Sequence, residues 1–232
     1  MRCVVCNERV RTNFDEHVDS HISVSQNEIL EHFKKIAAPF NVRLHKVICS
    51  DVEKREILFN LENAKLFIGF AERHYQIPWE DCCEWLALHE KAHIMLRDLY
   101  SPPKVNSTII SNVEDYYIEE YMVPTKYRRV YEASVNLIIE IRKMAPLPMI
   151  MALRKVGARI YYYITFATWH ASNMISLDQM NLAPIESKFV EEAAKVMREL
   201  KSPEELSDAI SLINKLAGHL TPTLTLPHQR GG

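Results

Sequence analysis

The tightest constraint on this chain is a pair of histidines four residues apart with a glutamate after the first, Leu88-His89-Glu90-Lys91-Ala92-His93. At 3.6 residues per turn, positions i and i+4 lie on one helix face, so both imidazoles reach a common point only if this stretch is helical. That point suits a Zn²⁺ ion, with Glu90 beside it as a base and not as a ligand. Cys82, Trp85, Leu86 and Leu96 share the face, which turns the two rings toward the interior or a cleft wall. Two separately buried imidazoles would each need a partner, whereas one cation satisfies both.

A catalytic zinc uses three protein ligands and keeps a fourth position for water. Downstream, Asn112-Val113-Glu114-Asp115-Tyr116-Tyr117-Ile118-Glu119-Glu120 supplies the acids. On a helix over 107–121, Glu114 neighbours Ile110, Tyr117, Ile118 and Tyr121 and so lies on the apolar face, which makes it the expected third ligand. Asp115 neighbours Ser111, Asn112 and Glu119 on the more solvated side and is expected to orient a ligand or cap the helix. Glu119 and Glu120 read as a solvated helix face.

The flanking sequence places these helices in an α+β chain. Residues 28–38 have apolar positions at spacings of three and four, with Ser25 as N-cap, Glu28 completing a capping box and Pro39 as the stop. Short β-rich runs at 43–48, 57–59 and 66–70 predict three strands, with a hairpin around Glu62 and Asn63. Pro78 opens the helix that carries the two histidines, which runs to about Asp98. Beyond Pro124 the pattern predicts helices over 127–144, 149–170, 185–200 and 203–217.

A helix with H-E-x-x-H, preceded by short strands and followed about twenty residues later by a helix bearing a ligand Glu, resembles the gluzincin clan of zinc metallopeptidases, in its minimal form. The resemblance covers about residues 57–121. It implies Zn²⁺ held by His89, His93 and Glu114, and hydrolysis of peptide bonds by a metal-activated water with Glu90 as general base. It also implies that substrate pairs with a strand edge at 64–70 or its neighbour. Many gluzincins carry an Asp four residues after the ligand Glu; here that position is Ile118, so the ligand histidines must be oriented from elsewhere. For the oxyanion that the family stabilises with Tyr or His, Tyr116, Tyr117, Tyr161, Tyr162, Tyr163 and His170 are equal candidates.

Residues 1–23 are too short to fold on a hydrophobic core alone, and a metal would staple them. Cys3-x2-Cys6-x10-His17-x3-His21 has the ligands and most of the spacing of a two-Cys, two-His zinc finger, with Val10 and Phe14 as its small core. Its helix carries Asp15, Glu16 and Asp19 and no Lys or Arg, which disfavours contact with phosphate. The expected role is structural or protein-recognising, with nucleic acid the less favoured partner.

With 28 Lys and Arg against 30 Asp and Glu, the chain has no bulk attraction for nucleic acid or anionic lipid. Five cysteines form no even disulfide framework, and Cys49, Cys82 and Cys83 read as small buried side chains. Arg154, Lys155 and Arg159 interrupt the most apolar stretch, 147–169, and no apolar leader precedes Asp15, so no membrane partner and a cytoplasmic setting are expected. The expected organisation is a finger (1–23), a gluzincin-like catalytic unit (24–123), a helical region (124–218) and a mobile tail (219–232) that could fold back over the cleft. The expected activity is a zinc-dependent hydrolase acting on a protein or peptide. The alternative is a catalytically inert or regulatory adaptor, stabilised by its metals, whose finger binds a protein or nucleic acid.

Overall fold

The computed structural model describes residues 2–10, 14–144, 156–180 and 182–220, with backbone alone at 14–15 and 156–159. The fold is α+β and mostly helical, with one small sheet. A hairpin-like turn through Cys3 and Cys6 leads into α1 (Phe14–Asp19), then α2 (Gln26–Ala37). The Ser25/Glu28 capping box read from the sequence starts α2, with the Glu28 N–H donating to Ser25 Oγ and the Ser25 N–H to Glu28 Oε2.

Strands β1 (Asn41–Leu44), β2 (Cys49–Asp51) and β3 (Glu56–Phe59) follow, in spatial order β1-β3-β2. β1 runs parallel to β3 and β2 antiparallel to it, so β2 is an edge strand with one side unpaired within the sheet. The expected strand at 66–70 and hairpin at Glu62 and Asn63 are instead helix α3 (Leu61–Tyr75). Ala64, Lys65 and all of 67–71 are buried, because α3 is covered on several sides, and a helix covered in this way shows the same continuous apolar run as a buried strand. Asn60 caps the helix by accepting from the Asn63 N–H at 2.8 Å.

The central element is α4 (Trp79–Leu96), which packs against α2, α3, α5, α6 and the edge strand. Helix α5 (Ser107–Tyr117) continues as a π-helical turn, Ile118–Met122, before Pro124. Helices α6 (Arg128–Met144), α7 (Val156–Ala171), α8 (Pro184–Glu199) and α9 (Leu206–Ala217) complete the described chain, with α7 against α5 and α8, and α9 against α5 and α8. The first part of the helix expected at 149–170, and the tail beyond Leu220, lie outside the described residues. One cluster of buried apolar side chains extends from Cys3 through α4 to Leu220. No helix among the described residues is long and apolar enough to cross a membrane.

Candidate metal centres

Helix α4 is buried along most of its length, so its polar side chains must find partners inside the fold. His89 and His93 stack edge to face one turn apart, and their Nε2 atoms lie 3.5 and 3.0 Å from Asp115 Oδ1 on α5. His89, His93 and Asp115 each bring one ligand-type atom within 4.8 Å of the others. The structure thus places Asp115, not Glu114, as the acid beside both Nε2 atoms.

Glu114 sits behind this point. Its Oε2 accepts from His93 Nδ1 at 3.2 Å and from the Arg97 guanidinium at 3.1 Å, while Oε1 accepts from Arg97 Nε and the Tyr100 hydroxyl. Glu119, expected in solvent, has a side chain only 3% exposed. It accepts from His89 Nδ1 at 2.7 Å and from the Trp85 indole N–H at 3.1 and 3.2 Å. Each imidazole is therefore held on its Nδ1 side by a buried carboxylate, which directs its Nε2 toward the common point. Glu114 and Glu119 do the orienting that Ile118 cannot.

Charge follows the same geometry. Burial would depress the pKa values of His89 and His93, but hydrogen bonds and charge from Asp115 and the two glutamates overcome it. His89 is raised well above its ordinary value and His93 to about 9. Burial would raise Asp115, yet hydrogen bonds from both imidazoles hold it well below the usual carboxylate range. Without a cation His93 keeps its proton at neutral pH, and its contribution to stability is complete below 6.5 and fades as pH rises through about 9. A metal must displace those protons, so its affinity falls as pH falls. Two imidazole nitrogens and one carboxylate oxygen, with the Asp115 side chain 32% exposed toward a cleft, suit a tetrahedral cation with an open position.

Glu90 projects beside this cluster and is 8% exposed. Ser50 on the edge strand reaches it: the Ser50 hydroxyl lies 2.8 Å from Glu90 Oε2 and 2.6 Å from the Glu90 carbonyl oxygen, able to donate to either. Strand β2 thus borders the site, a place the sequence reading gave to 64–70 or a neighbour. Of the six oxyanion candidates, Tyr161 lines the cleft next to His89 and Asp115, as does Tyr131, which the sequence did not single out. Tyr163 instead bonds Glu186, and His170 Nδ1 lies 3.1 Å from the Ile175 carbonyl. Cys82 and Cys83 are fully buried, and burial pushes the Cys83 thiol up to about 12. Cys49 is half-buried in the cleft wall.

A second cluster joins Cys3, Cys6, His17 and His21 within the same 4.8 Å limit. Cys6 Sγ lies 3.2 Å from His17 Nε2, which is 3.1 Å from His21 Nε2. The Asn7 N–H donates to the Cys3 carbonyl and the Cys3 N–H to that of Glu8, closing the turn between the cysteines; Asn7 takes the left-handed conformation that Asn tolerates. The Phe14 side chain, expected in the finger core, lies outside the described residues; Val10 is buried.

This segment is not a free arm. Lys65 of α3, 1% exposed, pairs with Asp19 at 2.6 Å and Glu62 at 2.8 Å, and His74 Nε2 lies 2.8 Å from the Val5 carbonyl oxygen. The acidic residue that argued against phosphate contact therefore anchors the finger to α3. Opening this cluster by Cys6→Ser should loosen Asp19 from Lys65, which keeps Glu62, and uncover apolar surface on α3, costing ~3 kcal/mol. At ~2–4 °C per kcal/mol for a chain of this size, the melting temperature should fall by about 10 °C. Calorimetry of protein prepared with added Zn²⁺ checks this; an unchanged transition would mean that the fold does not lean on this cluster.

Compared with protein-family profiles, curated proteins and solved structures, the chain matches none.

Proposed function

We propose that the chain is a zinc-dependent hydrolase of peptide bonds, with His89, His93 and Asp115 as ligands and Glu90 as general base. The observation that carries this reading is the convergence of both Nε2 atoms and one Asp115 oxygen at the wall of an open cleft, with the Glu90 carboxylate alongside. Gluzincins use a Glu as third ligand; the His-His-Asp set keeps their active-site helix and departs from them at that ligand. Bound there, zinc supplies Lewis acidity that polarises a carbonyl and acidifies water.

The protein's own groups do the rest. The Ser50 hydroxyl engages Glu90 Oε2 and leaves Oε1 free to take a proton from the attacking water and return it to the departing amine. Glu114 and Glu119 keep the Nδ1 protons on the two rings. The unpaired side of β2 offers N–H and C=O groups to an extended backbone running through the cleft. The Cys3, Cys6, His17, His21 cluster serves as a structural zinc site whose immediate partner is α3.

Zinc-loaded protein should cleave members of a mixed peptide library, lose that activity on removal of the metal by a chelator and regain it with added Zn²⁺. Mass spectrometry of the products reads the outcome. A protein carrying two zinc equivalents that leaves the library intact would overturn the hydrolytic reading in favour of an inert, metal-stabilised adaptor.

A further inference from the structure

The metal position lies where two cavities meet, and they differ in charge. Toward β2, a cavity of about 380 Å³ is bordered by Ser50, Glu90, Arg97 and Glu114. Toward α6 and α7, a larger one of about 680 Å³ is walled by Trp85, Tyr131, Ile138, Tyr161 and Trp169. Both share His89, Asp115 and Cys49, so a chain lying across the metal enters the two together.

Among the described residues lining the larger cavity, the ionisable groups beyond Cys49 and the tyrosines are His89 and Asp115, both assigned here to the metal. No lysine, arginine or other acid is among those described lining residues. Three of its hydroxyls are turned to backbone: Thr165 Oγ1 donates to the Tyr161 carbonyl and Ser134 Oγ to that of Tyr131, each at 2.7 Å, and Thr168 Oγ1 donates to carbonyls at Asn112 and Ile164. With their protons engaged, these three oxygens remain weak acceptors, and the Tyr131 hydroxyl, buried without a partner, is an uncharged donor that offers an anion no counter-charge. An ammonium or carboxylate entering here would lose water without gaining a counter-charge, whereas an aromatic ring gains apolar and ring contacts.

Resting on the metal reading above, we infer that this cavity is the specificity pocket and that it selects a bulky, uncharged, aromatic side chain next to the bond held at the metal. Ile138 stands at its rim, 39% exposed, where a charge can be placed without disturbing the core.

The test uses metal-chelating probes, so it needs no turnover. Acetohydroxamate and the N-acetyl hydroxamates of phenylalanine, lysine and glutamate are titrated calorimetrically into the zinc-loaded protein. The phenylalanine compound should bind about tenfold or more tightly than the lysine and glutamate compounds. Ile138→Glu should shift the phenylalanine-to-lysine ratio toward lysine by about tenfold and leave acetohydroxamate affinity unchanged. Equal binding of the three side chains, or a ratio unmoved by Ile138→Glu, overturns the pocket assignment while acetohydroxamate binding still upholds the metal. Failure of acetohydroxamate itself to bind overturns the metal reading and the pocket with it.

Discussion

Asp115→Asn should leave the chain with one equivalent of zinc, at the Cys3, Cys6, His17, His21 cluster, whereas Glu114→Gln should retain two. The difference comes from which side of the imidazoles each acid occupies. Asp115 Oδ1 lies against both Nε2 atoms, the only ring nitrogens free to coordinate once Nδ1 is committed to Glu119 and Glu114. Removing its charge leaves two neutral rings, a set too small for a closed three-ligand site. Glutamine at 114 can still accept from His93 Nδ1, so the ring keeps its orientation, but Arg97 loses its buried anion. Glu114→Gln should therefore weaken zinc by about 10–100-fold, as loss of an orienting partner does, and destabilise the fold by ~3–5 kcal/mol, as breaking a buried ion pair does. Zinc content by mass spectrometry under native conditions, with a competing chelator for affinity, separates the two. Loss of the second zinc in Glu114→Gln with retention in Asp115→Asn would restore Glu114 as the ligand.

That contrast marks where hydrophobic patterning stops being informative. Periodicity identifies which side of a helix leaves water, and it placed Glu114 on the buried side, where the structure also has it, 2% exposed. But α5 has two sides of different character, one buried and one bordering the cleft. One packs apolar residues and carries Glu114 to Arg97 and Tyr100. The other, the stripe Ser111, Asp115, Glu119, looks solvated in sequence because the cleft it borders is lined with polar groups. No count of apolar neighbours distinguishes a polar stripe facing water from one facing a cation. The signal present in the sequence was the four-residue spacing of Asp115 and Glu119, which matches that of His89 and His93 and lets two helices pair acid to imidazole in register.

The elements themselves were more legible where local chemistry is strong. The capping box at Ser25 and Glu28, the proline before α4 and the helical repeat after Pro124 each carry a backbone requirement that survives in any tertiary setting. The strand expected at 66–70 is helix instead because Leu66-Phe67-Ile68-Gly69-Phe70 is a continuous apolar run, which suits a buried strand as well as a helix buried on several sides. Packing between α4, α6 and the finger removes the polar face that would have revealed the period. The anchoring of the finger was likewise hidden, since Lys65 and Asp19 are 46 residues apart and each alone reads as surface charge.

Glu90→Gln should keep both zinc equivalents and the wild-type melting temperature yet lose about a thousandfold in peptidase rate, within the range ascribed to a general base. The amide has the shape of the carboxylate, and its oxygen can accept from Ser50 as Oε2 does at 2.8 Å, so neither β2 nor α4 need move. What is lost is the capacity to take a proton at the second oxygen. Glu90 contributes no atom to the His89, His93, Asp115 cluster, which is why metal content should not change. Rates are compared at equal zinc occupancy with peptides that the wild type cleaves. Comparable turnover in Glu90→Gln would remove Glu90 from the chemistry. Lost turnover with lost metal would instead make it a support of the site, since only a residue acting on the proton separates rate from occupancy.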